Sequence, residues 1–291
     1  MTLSLRSSHF RFFLFLLFSV LLFFRELILL LRFSFHDEHY SHIVLIPLIS
    51  AFLLHSEREK IFSAPRPGWR GAWFLVLAAA YFAATFLAPS LSRNDFLSLR
   101  MLSFVLLFLG LFFSCYGAPA FRRGLFPVLF LALIIPIPDV FLDSIIRLLV
   151  AGSAQITAWL FDLTGIPVLR SGTVFMLSTQ TIEIARECSG IRSSLALFIT
   201  SLLAGHLFLR TRWSMLALAV AAVGIAILKN GIRIATLTLL AIHVDSGFLT
   251  GRLHHEGGFV FFLIGLGVLS AVLAGLRWME RRREGPPKAA A

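Results

Sequence analysis

The sequence predicts an all-α polytopic membrane protein of about eight transmembrane helices, with a small extracytoplasmic β-hairpin or meander ahead of a cysteine-bearing helix. Three observations predict this class. Of 291 residues, 58% are hydrophobic and only 14% charged, where soluble domains carry roughly 25% charged residues. Mean hydropathy is +0.88. The apolar residues, 31 phenylalanines among them, fall in separate runs close to the ~20 residues that cross a bilayer.

Candidate spans cover 10–32, 41–56, 71–89, 98–116, 124–139, 190–209, 213–230 and 258–277 within one integral membrane domain, 1–291. No small-residue cleavage site follows the first run, so it reads as a retained helix rather than a signal peptide. Arg25 and Glu26 fall in its middle, where charge is costly in lipid and is expected to turn toward protein. The second and fifth runs are short or contain proline. Residues 140–165 keep helical spacing but intersperse Asp143, Arg147, Gln155 and Asp162, which predicts a helix lying along the interface. From 166 to 185 the period changes to alternating and β-branched residues, broken at Arg170-Ser171-Gly172 and Ser178-Thr179-Gln180. That predicts an antiparallel meander. Open strands leave backbone groups unpaired in lipid, so the meander belongs outside the hydrocarbon. Residues 139–189 thus form an outer-face segment of interfacial helix plus meander. The apolar stretch 234–251 is expected to be re-entrant or interfacial, and 278–291 to be a basic cytoplasmic tail.

The formal charge of +11 is scattered between apolar runs, which argues for membrane loops and lipid contact and against nucleic acid. The stretches 1–11, 57–70, 117–123, 210–212 and 277–288 hold 15 of the 26 basic residues. They alternate with the spans so that both termini fall on the cytoplasmic side. Two cysteines, Cys115 and Cys188, exclude a disulfide framework. His36, His39 and His42 recur every third residue without a cysteine or further close ligand, so no metal is expected, nor any cofactor.

The unusual polar residues then gather on the outer face. In 184-IARECSGIRSS-194, Cys188 sits at the outer end of a span with Glu187 beside it, Arg186 before it and Arg192 after it. A helix N-terminus and neighbouring arginines are the surroundings that make a thiol reactive. Glu187 opposes this unless it pairs with Arg186, Arg192 or Arg233. Asn230 and Arg233 close the seventh span, and His254, His255 and Glu256 precede the eighth. A thiol, a guanidinium and an imidazole at one depth form a nucleophile, an oxyanion clamp and a general acid–base. Each residue also has a plain reading: a lone cysteine is often incidental, and arginines and histidines at span ends often serve only the interface.

Glu187-Cys188-Ser189-Gly190 before a transmembrane helix, then Asn230-Gly231-Ile232-Arg233, then His254 with Gly258 and Phe262, resemble the exosortase/archaeosortase family of membrane cysteine transpeptidases. So do 40-YSHIVLIPLI-49, which contains Tyr40 and His42, and 136-PIPDVFLD-143, and the resemblance runs from about residue 33 to 265. It implies a thiol protease or transpeptidase of the bacterial inner membrane, with its site facing the exterior. The implied substrates are secreted proteins ending in a Pro-Glu-Pro-like motif, a transmembrane helix and a basic tail (PEP-CTERM signals). Many relatives serve exopolysaccharide-associated envelope systems. The implied chemistry is a thioester on Cys188, with Arg233 as the family's arginine, His254 as its histidine, and a glycan or lipid acceptor. His255 is the alternative histidine. Competing readings are a small-solute transporter, disfavoured because no internal repeat is found, and a non-catalytic envelope scaffold, for which Cys188 would be dispensable. A membrane acyltransferase using Cys188 would differ in taking a lipid rather than a protein donor.

Overall fold

The apolar runs fold into helices nearly throughout the computed structural model, which describes residues 2–36, 38–63, 65–88, 90–177, 181–245, 247 and 258–283. The chain divides into two units at Leu142. In the first, α1 (Thr2–Leu22) and α2 (Phe24–His36) meet at a 70° bend. The bend comes just before the adjacent charges Arg25 and Glu26. Glu26 turns inward to Arg100 at 3.6 Å, both side chains largely buried, while Arg25 stays exposed. The Arg100 guanidinium also lies over Phe82, Phe86 and Phe96 at 3.9, 4.8 and 5.1 Å from the ring centres. The aromatic cage and the carboxylate together replace the water that this cation gives up.

A 3-10 stretch, Glu38–Val44, leads into α3 (Leu45–Ser56) and the single turn α4 (Arg58–Ile61). Next, α5 (Ala72–Leu87) packs along α6 (Arg93–Arg123), which kinks at Gly117 ahead of Pro119. The short α7 (Leu125–Phe130) completes the unit. Its polar centre is a knot around Asn94, whose amide donates to the Ile137 carbonyl at 2.7 Å and to Asp139 at 2.7 Å. Buried Tyr40 donates to the Asn94 side-chain oxygen at 3.0 Å, and Ser92 to Asp139 at 2.6 Å. Tyr40 and the 136–139 segment are therefore fastened to each other and to the start of α6.

The second unit opens along α8 (Asp139–Thr164) and continues into a meander of β1 (Val168–Ser171), β2 (Val174–Leu177) and β3 (Thr181–Glu183). The order is β1-β2-β3, both pairs antiparallel, with Val168 opposite Leu177 and Val174 opposite Glu183. The first turn falls where Arg170-Ser171-Gly172 predicts it; the second expected break, 178–180, lies outside the described residues. Phe175, 1% exposed, meets Phe161 of α8 edge to face, and Arg170 donates to Gln155 at 2.9 Å. These contacts seat the sheet on α8. A 3-10 turn, Arg186–Ser189, then leads to α9 (Ile191–Phe208), α10 (Arg212–His243) and α11 (Gly258–Arg283). Leu197, Leu218, Ala222, Ala226 and Leu269 form their shared core. At the end of the unit far in sequence from Cys188, the Glu280 carboxylate accepts the backbone N–H groups of Arg210 (3.0 Å) and Thr211 (2.9 Å) and the Thr211 hydroxyl (2.8 Å).

Six described helices are long and apolar enough to cross a bilayer: Trp69–Leu87, Arg93–Arg123, Asp139–Thr164, Arg186–Phe208, Arg212–His243 and Gly258–Arg283. The bent pair Arg6–Leu22 and Phe24–Phe35 raises this to seven at most. Eight spans are not reached among the described residues. Tyr40–Ser56 and Leu125–Ile134 are helical but short, and Pro136 and Pro138 prevent the latter from continuing. Asp139–Thr164, expected along the interface, has a crossing length and composition as well; on its surface Asp143 meets Arg186 and Gln155 meets Arg170. The seventh span also does not stop at 230. It runs to His243; Asn230, at the expected end, is buried with partners, as is Lys229 beside it.

We predict that Glu26→Gln lowers stability by roughly 3 kcal/mol or more, because Arg100 is left as a buried charge without its counter-ion. The double variant Glu26→Gln/Arg100→Met should recover much of the loss. Thermal unfolding in detergent tests this; equal melting of the single variant and wild type contradicts the ion pair.

Candidate active site

Cys188 lies in the single turn Arg186–Ser189 and not in α9 itself, because Gly190 breaks the helix with φ +66°. The turn closes when the Cys188 N–H donates to the Ala185 carbonyl at 3.0 Å. Gly190 is required twice over. A side chain would force a left-handed backbone costing about 1–2 kcal/mol, and its Cβ would lie 2.7 Å from Asn230 Oδ1. The Gly190 carbonyl accepts the Ser194 N–H at 3.0 Å, which starts α9.

Asn230 holds the turn in place. It is 1% exposed, and its amide donates to the Cys188 carbonyl at 2.9 Å and to Ser153 of α8 at 3.0 Å. One side chain thus joins α8, α10 and the cysteine turn. Next to it, Gly231 lets α10 lie directly on α8, where an added Cβ would come 2.5 Å from Cβ of Ile156. Thr157 adds a hydrogen bond to the Gly231 carbonyl at 3.3 Å. One residue before Asn230, the buried Lys229 amine donates to Ser193 of α9 at 2.6 Å. The sequence reading missed Lys229, Ser153, Thr157 and Ser193. Their signal was polarity inside apolar runs, which periodicity alone assigns to no partner.

Cys188 and Arg233 line one small pocket of about 40 Å³, together with Ile182, Glu183, Ile184, Ile234, Leu237 and Thr238. The cysteine is half-buried and shares this pocket with the Arg233 guanidinium. Of the arginines expected near the thiol, Arg233 is the one that lines its pocket. Arg186 pairs with Asp143 at 2.6 Å. Arg192 and Glu187 are exposed. Tyr40 and His42 belong to the first unit, where Tyr40 sits in the Asn94 knot, and the Cys188 pocket is built from second-unit residues. His254, His255 and Glu256 lie outside the described residues. Cys115 is buried in α6.

Depth follows from helix geometry. From Arg212 to Arg233 the helix rises about 32 Å at ~1.5 Å per residue, close to the ~30 Å of a hydrocarbon core. The 18 residues of α9 give about 27 Å. Both helices thus run about the thickness of a hydrocarbon core between the Arg210–Arg212 turn and the end that bears Cys188 and Arg233. A thiol beside a guanidinium there can attack a carbonyl carbon while the cation faces the oxygen.

The fold and pocket define a multi-pass helical membrane protein with a cysteine and an arginine in one pocket. The chain belongs to the transmembrane exosortase family, whose model matches residues 32–271. No curated protein and no solved structure matches it.

Gly190→Ala is expected to cost about 1–2 kcal/mol from backbone strain and to displace Asn230 from the Cys188 turn. Thermal unfolding reads the first effect. The alkylation rate of Cys188, with buried Cys115 as the slow reference, reads the second. Unchanged values of both would mean that Asn230 does not seat the turn.

Proposed function

We propose that this exosortase-family protein is a cysteine transpeptidase that removes the C-terminal sorting signal of secreted proteins at the outer surface of the bacterial inner membrane. Family membership supports an exosortase-type role on proteins with sorting signals. The observation that carries the finer reading is the pairing of Cys188 with Arg233 in one pocket. The guanidinium is a counter-ion for the thiolate and a fork of N–H donors for the oxyanion.

The steps balance as follows. His254, with His255 as its alternative, takes the thiol proton, and the Cys188 sulfur bonds to the carbonyl carbon of the scissile peptide. Arg233 faces the oxyanion. The C–N bond breaks, the imidazolium gives its proton to the departing amine, and a thioester remains. A hydroxyl or amine of an envelope glycan or lipid then loses its proton to the imidazole and attacks. The C–S bond breaks and the thiol is restored. The substrate's transmembrane helix and basic tail set the cleavage motif at this depth, its basic end on the cytoplasmic side where this chain's own basic loops and both termini lie.

A tagged secreted protein bearing the tripartite tail tests the reading. Loss of the tail, followed by gel, should occur with wild type and be abolished by Cys188→Ala at equal membrane levels. Arg233→Lys should slow processing on the order of 100-fold, since a point ammonium does not reproduce the planar fork. Equal processing with Cys188→Ala removes the thiol from the mechanism. A membrane-impermeant probe should reach a cysteine introduced at Gly247 from outside the cell; labelling only after cell disruption reverses the proposed orientation.

A further inference from the structure

We propose that the free edge of β3 is the binding rail for the substrate: the cleavage segment lies extended along β3 as a fourth strand, which leads its backbone to Cys188. This rests on the transpeptidase reading above. The sheet order β1-β2-β3 leaves β3 paired on one side only. The Ile184 N–H donates to the Thr173 carbonyl at 3.0 Å, and Ile182 stands opposite Phe175. Backbone groups alternate in direction along an antiparallel strand, so Ile182 and Ile184 bond inward while the N–H and C=O of Thr181 and Glu183 face out. Both of these residues are exposed, and among the described residues no backbone hydrogen bond crosses that edge.

The edge opens where the chemistry is. Consecutive residues Ile182, Glu183 and Ile184 all line the Cys188–Arg233 pocket. Successive side chains point to opposite faces of a strand, so a pocket touching all three borders the strand's edge and not one face. Across it, the fully buried Thr238 hydroxyl has no hydrogen-bond partner among the described residues. A polar group left so is costly unless a ligand satisfies it. An added strand brings backbone donors and acceptors to both the edge and this hydroxyl. Strand addition draws affinity from the backbone and specificity from the side chains that enter pockets. The occupant is therefore an extended peptide segment of a secreted protein, read mainly through its main chain.

The experiment combines a blocked edge with a register map. Thr181→Pro removes one outward N–H; proline is tolerated in an edge strand when that N–H points away from the sheet. Processing of the tagged, tailed protein should slow about fivefold to tenfold, the worth of one backbone hydrogen bond, at an unchanged membrane level. Full-rate, Cys188-dependent processing by Thr181→Pro overturns the strand and leaves the transpeptidase standing. Absence of Cys188-dependent processing in wild type overturns the transpeptidase. Independently of turnover, Cys188→Ala carrying Thr181→Cys is oxidised with substrates bearing single cysteines at successive positions of the cleavage segment. Disulfides at every second position support an extended strand at the edge. Equal trapping at all positions, or none, overturns it.

Discussion

Hydrocarbon offers no hydrogen bonds, so each polar group carried into this bundle must be met by another part of the chain. Much of the structure is organised by that requirement, with the Thr238 hydroxyl as an exception among the described residues. Glu26 answers Arg100, Ser193 answers Lys229, and Ser153 and the Cys188 carbonyl answer Asn230. Each pair joins elements well separated in sequence. Helices that apolar packing alone would let slide are thereby held in register, since a shift of one turn would strand a charge or an amide in lipid.

Asn230 shows how this architecture becomes chemistry. A buried amide is expensive to leave unpaired, and here both of its donated bonds go to groups that define the site: the helix behind it and the carbonyl of the nucleophile. The rigidity of the cysteine turn therefore comes from a side chain outside that turn. Gly190 is the complement, a residue whose lack of a side chain leaves Asn230 its place. Arg233, three residues along the same helix, inherits its position from the same anchor. Nucleophile and cation are brought together by one side chain, since Asn230 binds the cysteine turn and shares α10 with Arg233.

Much of this was legible in the sequence, for particular physical reasons. Apolar length marked the long helices, and the change to alternation after 166 marked the meander, because those periods are imposed by geometry. Cys188, Gly190, Asn230 and Arg233 stood out as polar or small residues at the ends of apolar runs. What was not legible is pairing at a distance. Arg186 beside Cys188 looked like the thiol's cation, yet Asp143 holds it, and that contact spans 43 positions. The end of α10 was misread for the same reason: Asn230 looks like a boundary until its partners on α8 and the cysteine turn are known. Tyr40 and the 136–139 segment were legible as a resemblance; their part in the knot around Asn94 became visible only in three dimensions.

The long helix α10 has one more implication. Its 32 residues extend to about 48 Å, well beyond a bilayer core, and the apolar turn after Arg233 contributes Ile234, Leu237 and Thr238 to the pocket. The site is thus hung at a set height above the Arg210–Arg212 turn, as if on a ruler. Lipids with longer acyl chains would drown it and shorter ones would lift it clear.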